Sequence, residues 1–177
     1  MGPLNMEPIM RRFMGLIAGL ACFTFSPSIM ASEPKLEGTY KDWSSYSRDA
    51  GGDKSCYAIT QAKSKSPSSV KHGDIYFMVS SWRSGVASEQ PSFLASYKLN
   101  QNIAPEAKVG STKIAFYTAE NEAFIDDETN EQRLVRAMRA GATMSFNAQS
   151  SRGTRVTYSF SLSGVTAALE KIKAACR

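Results

Sequence analysis

The chain has 177 residues, 42% of them hydrophobic, with Lys+Arg 21 against Asp+Glu 16 and a formal net charge of +5. That balance suits one ordinary globular domain and excludes a disordered or fibrous polypeptide. The basic residues are spread along the whole sequence rather than gathered on one element, which argues against nucleic acid as a partner. A modest positive charge fits contact with anionic lipid or polysaccharide, or plain solubility.

At the N-terminal end, Arg11 and Arg12 precede an apolar stretch over 13–25, followed by Ser26-Pro27 and a small residue at Ala31. A basic region, a short apolar region and a small residue at a cut predict a secretory signal peptide over 1–31. The apolar stretch is shorter than the roughly 20 residues of a resident membrane helix. Met10 is an alternative start, because Glu7 and its neighbours suit no basic leader. Lipidation at Cys22 is disfavoured by Gly19, which stands where an aliphatic residue is needed. The expectation is a single β-rich domain over 32–177, exported to the periplasm, associated with the outer membrane or secreted. No later stretch is long and apolar enough to span a bilayer.

The mature part opens with Tyr40, Trp43 and Tyr46 in a strand- or loop-like setting. The glycine turn over 49–53 and "KSCYAITQ" predict a hairpin with a longer loop. "AKSKSPSSVKHGD" is poor in hydrophobes and reads as a loop, whereas "DIYFMVSSW" (74–82) reads as a buried strand. "SFLASYKLN" (92–100) alternates through Phe93, Ala95, Tyr97 and Leu99. "TKIAFYT" turns Ile114 and Phe116 inward, and "EAFID" is a short strand. The period then changes. Leu134, Val135 and Met138, with acids before them and Gly141 after, predict a helix over 130–140. Two strands follow, facing inward through Met144, Phe146 and Ala148 and through Val156, Tyr158, Phe160 and Leu162. A second helix over 163–175, capped by Ser163, carries Val165, Leu169 and Ile172 on one stripe. The sum is a mainly β, antiparallel β-sandwich with two short helices.

With the leader removed, Cys56 and Cys176 remain, and an oxidising compartment pairs them into one disulfide. Closing so long a loop removes unfolded-state entropy on the order of 4 to 5 kcal/mol. A catalytic cysteine needs a nearby base, and the single histidine, His72, lies in a polar loop. Two cysteines and one histidine do not make a zinc site. No metal or cofactor signature is visible, and the serines have no histidine partner for a hydrolytic triad.

Asp126, Asp127 and Glu128 lack the alternate spacing and glycine of a calcium loop and read as acids at a helix N-terminus. Arg133, Arg136 and Arg139 form a stripe on the first helix, and Arg152 and Arg155 lie at or beside the hairpin tip "SSRGTRV". These five are the candidate partner-binding residues, suited to phosphate or carboxylate groups and equally to a solvated face.

"DWSSYS…GGDKSCYAITQ", "IYFMVSSWR", "FYTAENEAFIDD", "EQRLVRAMRAGA" and "SSRGT…YSFSLSGVTAALEKI" run in this order from Tyr40 to Cys176. In that order and spacing the chain resembles the invasion-associated locus B family of exported bacterial proteins. The resemblance implies an immunoglobulin-like β-sandwich in the periplasm or outer membrane, a family link to host-cell invasion, and no established enzymatic activity. It carries over no catalytic or ligand-binding residue. Other branches have a further cysteine near the tryptophan of "DWSSYS"; here Tyr46 and Ser47 stand there.

The functional expectation is therefore a non-catalytic binding module acting on an envelope or host protein or an anionic glycolipid. Two alternatives stay open: an envelope hydrolase using carboxylates, which two facing acids in a cleft would favour, and an assembly factor, which an exposed edge over 92–100 would favour.

Overall fold

The structure, a computed structural model, describes residues 32–177. The leader, its cut after Ala31 and Cys22 lie outside the described residues. The strands in chain order are β1 Lys35–Tyr40, β2 Trp43–Ala50, β3 Asp53–Gln61, β4 Ser64–Ser66, β5 Ile75–Trp82 and β6 Gln90–Ala95. They continue as β7 Glu106–Val109, β8 Thr112–Ala115, β9 Tyr117–Ala119, β10 Glu122–Phe124, β11 Thr143–Gln149 and β12 Arg155–Ser161. Helix α1 spans Glu128–Ala140 and α2 spans Val165–Ala175.

Two antiparallel sheets result, a seven-stranded one in the order β1-β2-β3-β5-β6-β10-β9 and a five-stranded one in the order β4-β12-β11-β7-β8. They face each other as a β-sandwich with two helices, the architecture the sequence implied. Aromatic rings fill the space between them. Phe93 of β6 stacks on Phe146 of β11 at 4.0 Å between centroids and on Tyr158 of β12 at 5.6 Å. Phe77 of β5 meets Phe146 and Phe160 from the same sheet face. Such pairs prefer stacked or edge-to-face geometry and add to the burial of their area.

Helix α1 begins where the acids predict. Asp127 is its N-cap, accepting from the Asn130 backbone N–H at 2.8 Å, and Leu134, Val135 and Met138 are buried. Helix α2 closes the sandwich over β1, β2 and β3. Trp43 Nε1 donates to the Ser161 carbonyl at 2.9 Å, and the Ser45 hydroxyl donates to the Ala168 carbonyl at 3.0 Å. Cys176, the C-cap of α2, is bonded to the buried Cys56 of β3, with Cα atoms 5.8 Å apart.

Several boundaries differ from the sequence reading, each for a local reason. The turn after β2 is not a longer loop: Gly51 and Gly52, both left-handed, join Ala50 directly to its partner Asp53. Two left-handed residues match the strand twist of a two-residue hairpin. Ser163 is not the cap of α2. Gly164 holds that position at φ 94°, and a Cβ there would lie 1.9 Å from the Tyr40 carbonyl oxygen. The strand expected over 92–100 stops at Ala95, and the next residues cross to the other sheet, where Leu99 bridges Ser150. "TKIAFYT" also divides, β8 belonging to the five-stranded sheet and β9 to the seven-stranded one, with Phe116 buried at the crossing. The loop over 62–74 contains β4, an edge strand on β12.

Removing the bridge in a Cys56→Ala/Cys176→Ala double variant is expected to cost about 2 to 4 kcal/mol. Denaturant unfolding of the wild type with and without reductant should show the same loss, and a midpoint indifferent to reductant would contradict it. Gly164→Ala should destabilise by about 1 to 3 kcal/mol, because a left-handed backbone and a blocked Cβ act together. The same unfolding assay reads it.

Candidate functional site

The segment that leaves the sheet after Ala95 builds one wall of a cleft of about 630 Å³. Tyr97 and Lys98 line it, the Ser150–Thr154 turn between β11 and β12 forms the opposite wall, and the stretch over 70–72 closes one end. Short bonds hold both walls. The Ser151 N–H donates to the Lys98 carbonyl at 2.9 Å, and the Ser96 hydroxyl donates to the Asp74 carbonyl at 2.8 Å. At the floor, His72 is buried, its Nδ1 2.9 Å from the Tyr158 hydroxyl and its Nε2 2.9 Å from the Pro67 carbonyl oxygen. The Tyr158 hydroxyl in turn lies 2.5 Å from that of Tyr97. Burial pushes both phenols up from their usual range.

The five predicted arginines do not form one site. Arg152 stands on the rim of this cleft beside Lys71 and Lys98. Arg155, exposed on β12, lines a separate shallow groove with Glu106 and Asn147. Arg133 and Arg136 are exposed on α1. Arg139 is engaged: its guanidinium pairs with Glu89 at 2.5 Å and with Glu170 of α2 at 3.0 Å, tying the two helices to the start of β6. Its placement is that of a structural clamp.

The acids are as informative. The Asp127 carboxylate, which accepts from both the backbone and the side chain of Asn130, is held below its usual range. Glu131, 8% exposed on α1, is pushed up by burial. It does not line the cleft, in which no carboxylate is found among the described residues. The edge that the assembly-factor alternative required is also displaced. Strand β6 is interior, paired to β5 on one side and β10 on the other.

Sequence reading passed over a second surface, the outer face of the seven-stranded sheet. Strand β5 was expected to be buried, and its inward residues Ile75, Phe77 and Val79 are. Its alternate residues Tyr76, Met78 and Trp82 are only partly buried and face away from the other sheet. Cross-strand register extends that face. Ile59, Met78, Ser92, Phe124 and Tyr117 form one row across β3, β5, β6, β10 and β9. Leu36, Tyr46, Tyr57, Ser80 and Gln90 form the next, across β1, β2, β3, β5 and β6, with the two tyrosine rings stacked at 5.4 Å. The signal was in the sequence: "IYFMV" is apolar at both parities, which reads equally as burial on two sides or as one open apolar face.

The profile of the Invasion associated locus B (IalB) protein family matches residues 43–173. The chain belongs to that family. Among solved structures, it is similar to the crystal structure of invasion associated protein b from Bartonella henselae, with a TM-score of 0.52 and 15% sequence identity. The likeness covers 81% of this chain and 98% of that one, and at such identity it concerns the fold. No curated protein matches the chain. In this family member, then, the sandwich is the shared element, while the cleft and the aromatic face are described from its own residues.

Glu131→Gln tests the electrostatics of α1. Below the unfolded carboxyl range the native and unfolded states are both protonated, and the substitution changes little. Above the raised native value the buried, ionised carboxylate opposes folding, so the glutamine variant is expected to be the more stable near neutral pH. Melting temperatures at about pH 4 and about pH 7.5 should diverge in that direction only at the higher pH.

Proposed function

We propose that this family member is an exported, non-catalytic binding module whose main contact surface for an envelope or host protein is the outer face of its seven-stranded sheet. The observation that carries the reading is the pair of aromatic-rich rows on that face, interrupted by Ser92 in one and ending in Ser80 and Gln90 in the other. Leu36 at one margin is 53% exposed and Tyr117 at the other is 51% exposed. No described element covers the residues between them. A solvated sheet face ordinarily alternates to polar side chains. A partly exposed face so rich in apolar side chains marks an interaction site, and tyrosine, phenylalanine and methionine are the residues enriched there.

Family membership supports a role in host interaction, and a leader over 1–31 supports export. Among the described residues the cleft is lined by basic, hydroxyl and histidine side chains and by no carboxylate, so it offers the carboxylate-hydrolase alternative no acid pair. Exposed Arg133 and Arg136 would act at most as a charged rim for such a partner, since rim charges tune encounter rate more than affinity.

Photo-crosslinking in cell envelopes tests the surface. A crosslinker at Tyr76 or Met78 is expected to give one discrete adduct, and a crosslinker at Arg136 none. Met78→Asp, introduced with the probe at Tyr76, should reduce that adduct about tenfold, the effect of losing an anchor at the centre of an interface. Adducts from Arg136 alone would move the contact to α1 and sink the reading.

A further inference from the structure

The cleft between the Ser150–Thr154 turn and the 96–98 segment has the chemistry of an anion receptor. Lys71, Lys98 and Arg152 line it. Lys98 is partnered at the rim by Glu120 at 2.7 Å, whereas among the described residues Lys71 and Arg152 form no ion pair. The turn that presents Arg152 is tightly held. The Gly153 N–H donates to the Ser150 carbonyl at 2.9 Å, and the Ser150 N–H donates to the Thr154 carbonyl at 2.9 Å. The held turn fixes where Arg152 leaves the backbone, and its guanidinium offers a planar fork of donors suited to an anion.

The floor adds a second device. The Pro67 carbonyl only accepts, so His72 Nε2 carries a hydrogen in either charge state. With a neutral imidazole, Nδ1 accepts from the Tyr158 hydroxyl, and Tyr158 accepts from Tyr97. The Tyr97 hydrogen is then committed inward, leaving only lone pairs towards the cleft. With a protonated imidazole the chain runs the other way. Nδ1–H donates to Tyr158, Tyr158 donates to Tyr97, and the Tyr97 hydrogen is released towards the cleft. Proton uptake at one buried ring therefore converts the Tyr97 hydroxyl, two groups away, from acceptor to donor.

We propose that this cleft binds a phosphate- or sulfate-type anionic group between Lys71 and Arg152, and that protonation of His72 turns the Tyr97 hydroxyl into a donor to it. The groups around His72 are Lys71 and Asp74 on its own loop, Lys65 on β4, whose ammonium donates to the Gly73 carbonyl, Tyr158 on β12, and Tyr97, Lys98 and Arg152 across the cleft. A bound anion and an imidazolium attract each other, so each favours the binding of the other. Affinity rises as pH falls.

Sulfate stays a dianion throughout the weakly acidic to weakly basic range, so its titration isolates the protein's own proton. Amide NMR of the mature chain at about pH 5.5 and about pH 8 is expected to show saturable shifts over 150–154, with binding several-fold tighter at the lower pH. Arg152→Gln should weaken binding about tenfold at both values, the loss of a charge-assisted pair. Tyr97→Phe should keep the binding and reduce its pH dependence to the part that the imidazolium charge supplies by itself. Absence of sulfate binding at both pH values, indifference to Arg152→Gln, or an unchanged pH dependence in Tyr97→Phe overturns the proposal. Cosedimentation with phosphatidylglycerol vesicles that Arg152→Gln abolishes would assign the anion to a lipid headgroup. Sulfate binding without cosedimentation would assign it to a soluble ligand.

Discussion

The ring of Phe93 lies between two others, stacked on Phe146 and on Tyr158, and through it the two sheets are held face to face. Because β6 and β12 meet at this contact, everything at that end of the sandwich takes its position from it. Tyr158 spends its ring in the core and its hydroxyl on His72 and Tyr97. The same stack sends the aromatic side chains of one parity inward, which leaves the opposite parity of β3, β5 and β6 on the open face. One packing constraint thus places both the cleft and the aromatic surface.

The far end of the sandwich is closed differently. Helix α2 covers β1 to β3 with small and aliphatic residues, Ala168, Leu169 and Ile172, and a small residue such as Ser45 lets it approach closely enough to bond the Ala168 carbonyl. The disulfide then fastens the last turn of α2 to the middle of β3, across a separation of 120 residues. The Lys54 ammonium, which donates to the Ala175 carbonyl at 2.7 Å, reinforces that last turn. A domain that leaves one sheet face uncovered forgoes part of its apolar burial, and a cross-link that limits the unfolded chain offsets that deficit.

Membership of the invasion associated locus B family and a shared fold with the Bartonella henselae protein say how the chain is built. Contacts are made by particular side chains, and a fold alone does not supply them. In this chain the arginine stripe of α1 illustrates the difference. Three arginines at helical spacing look like one surface, yet Arg139 is drawn into ion pairs with Glu89 and Glu170. The two acids come from a loop and from the other helix, neither of which sequence spacing relates to α1.

Local pattern in the sequence was enough for α1 with acids at its N-terminus, for the inward residues of β11 and β12, and for the apolar stripe of α2. In each, period and capping chemistry act within a few residues. The Cys56–Cys176 pairing was equally legible, because two cysteines admit one bridge. The rest is non-local. No local signal shows that the chain changes sheets after Ala95 and at Phe116, since strands in either sheet alternate alike. His72, read as a loop residue, is buried where Tyr158 of β12 and Tyr97 of the segment after β6 meet it. The apolar run of β5 carries the same letters whether both faces are covered or one. Which side stays open is decided by the partner sheet, whose rings cover one face and not the other.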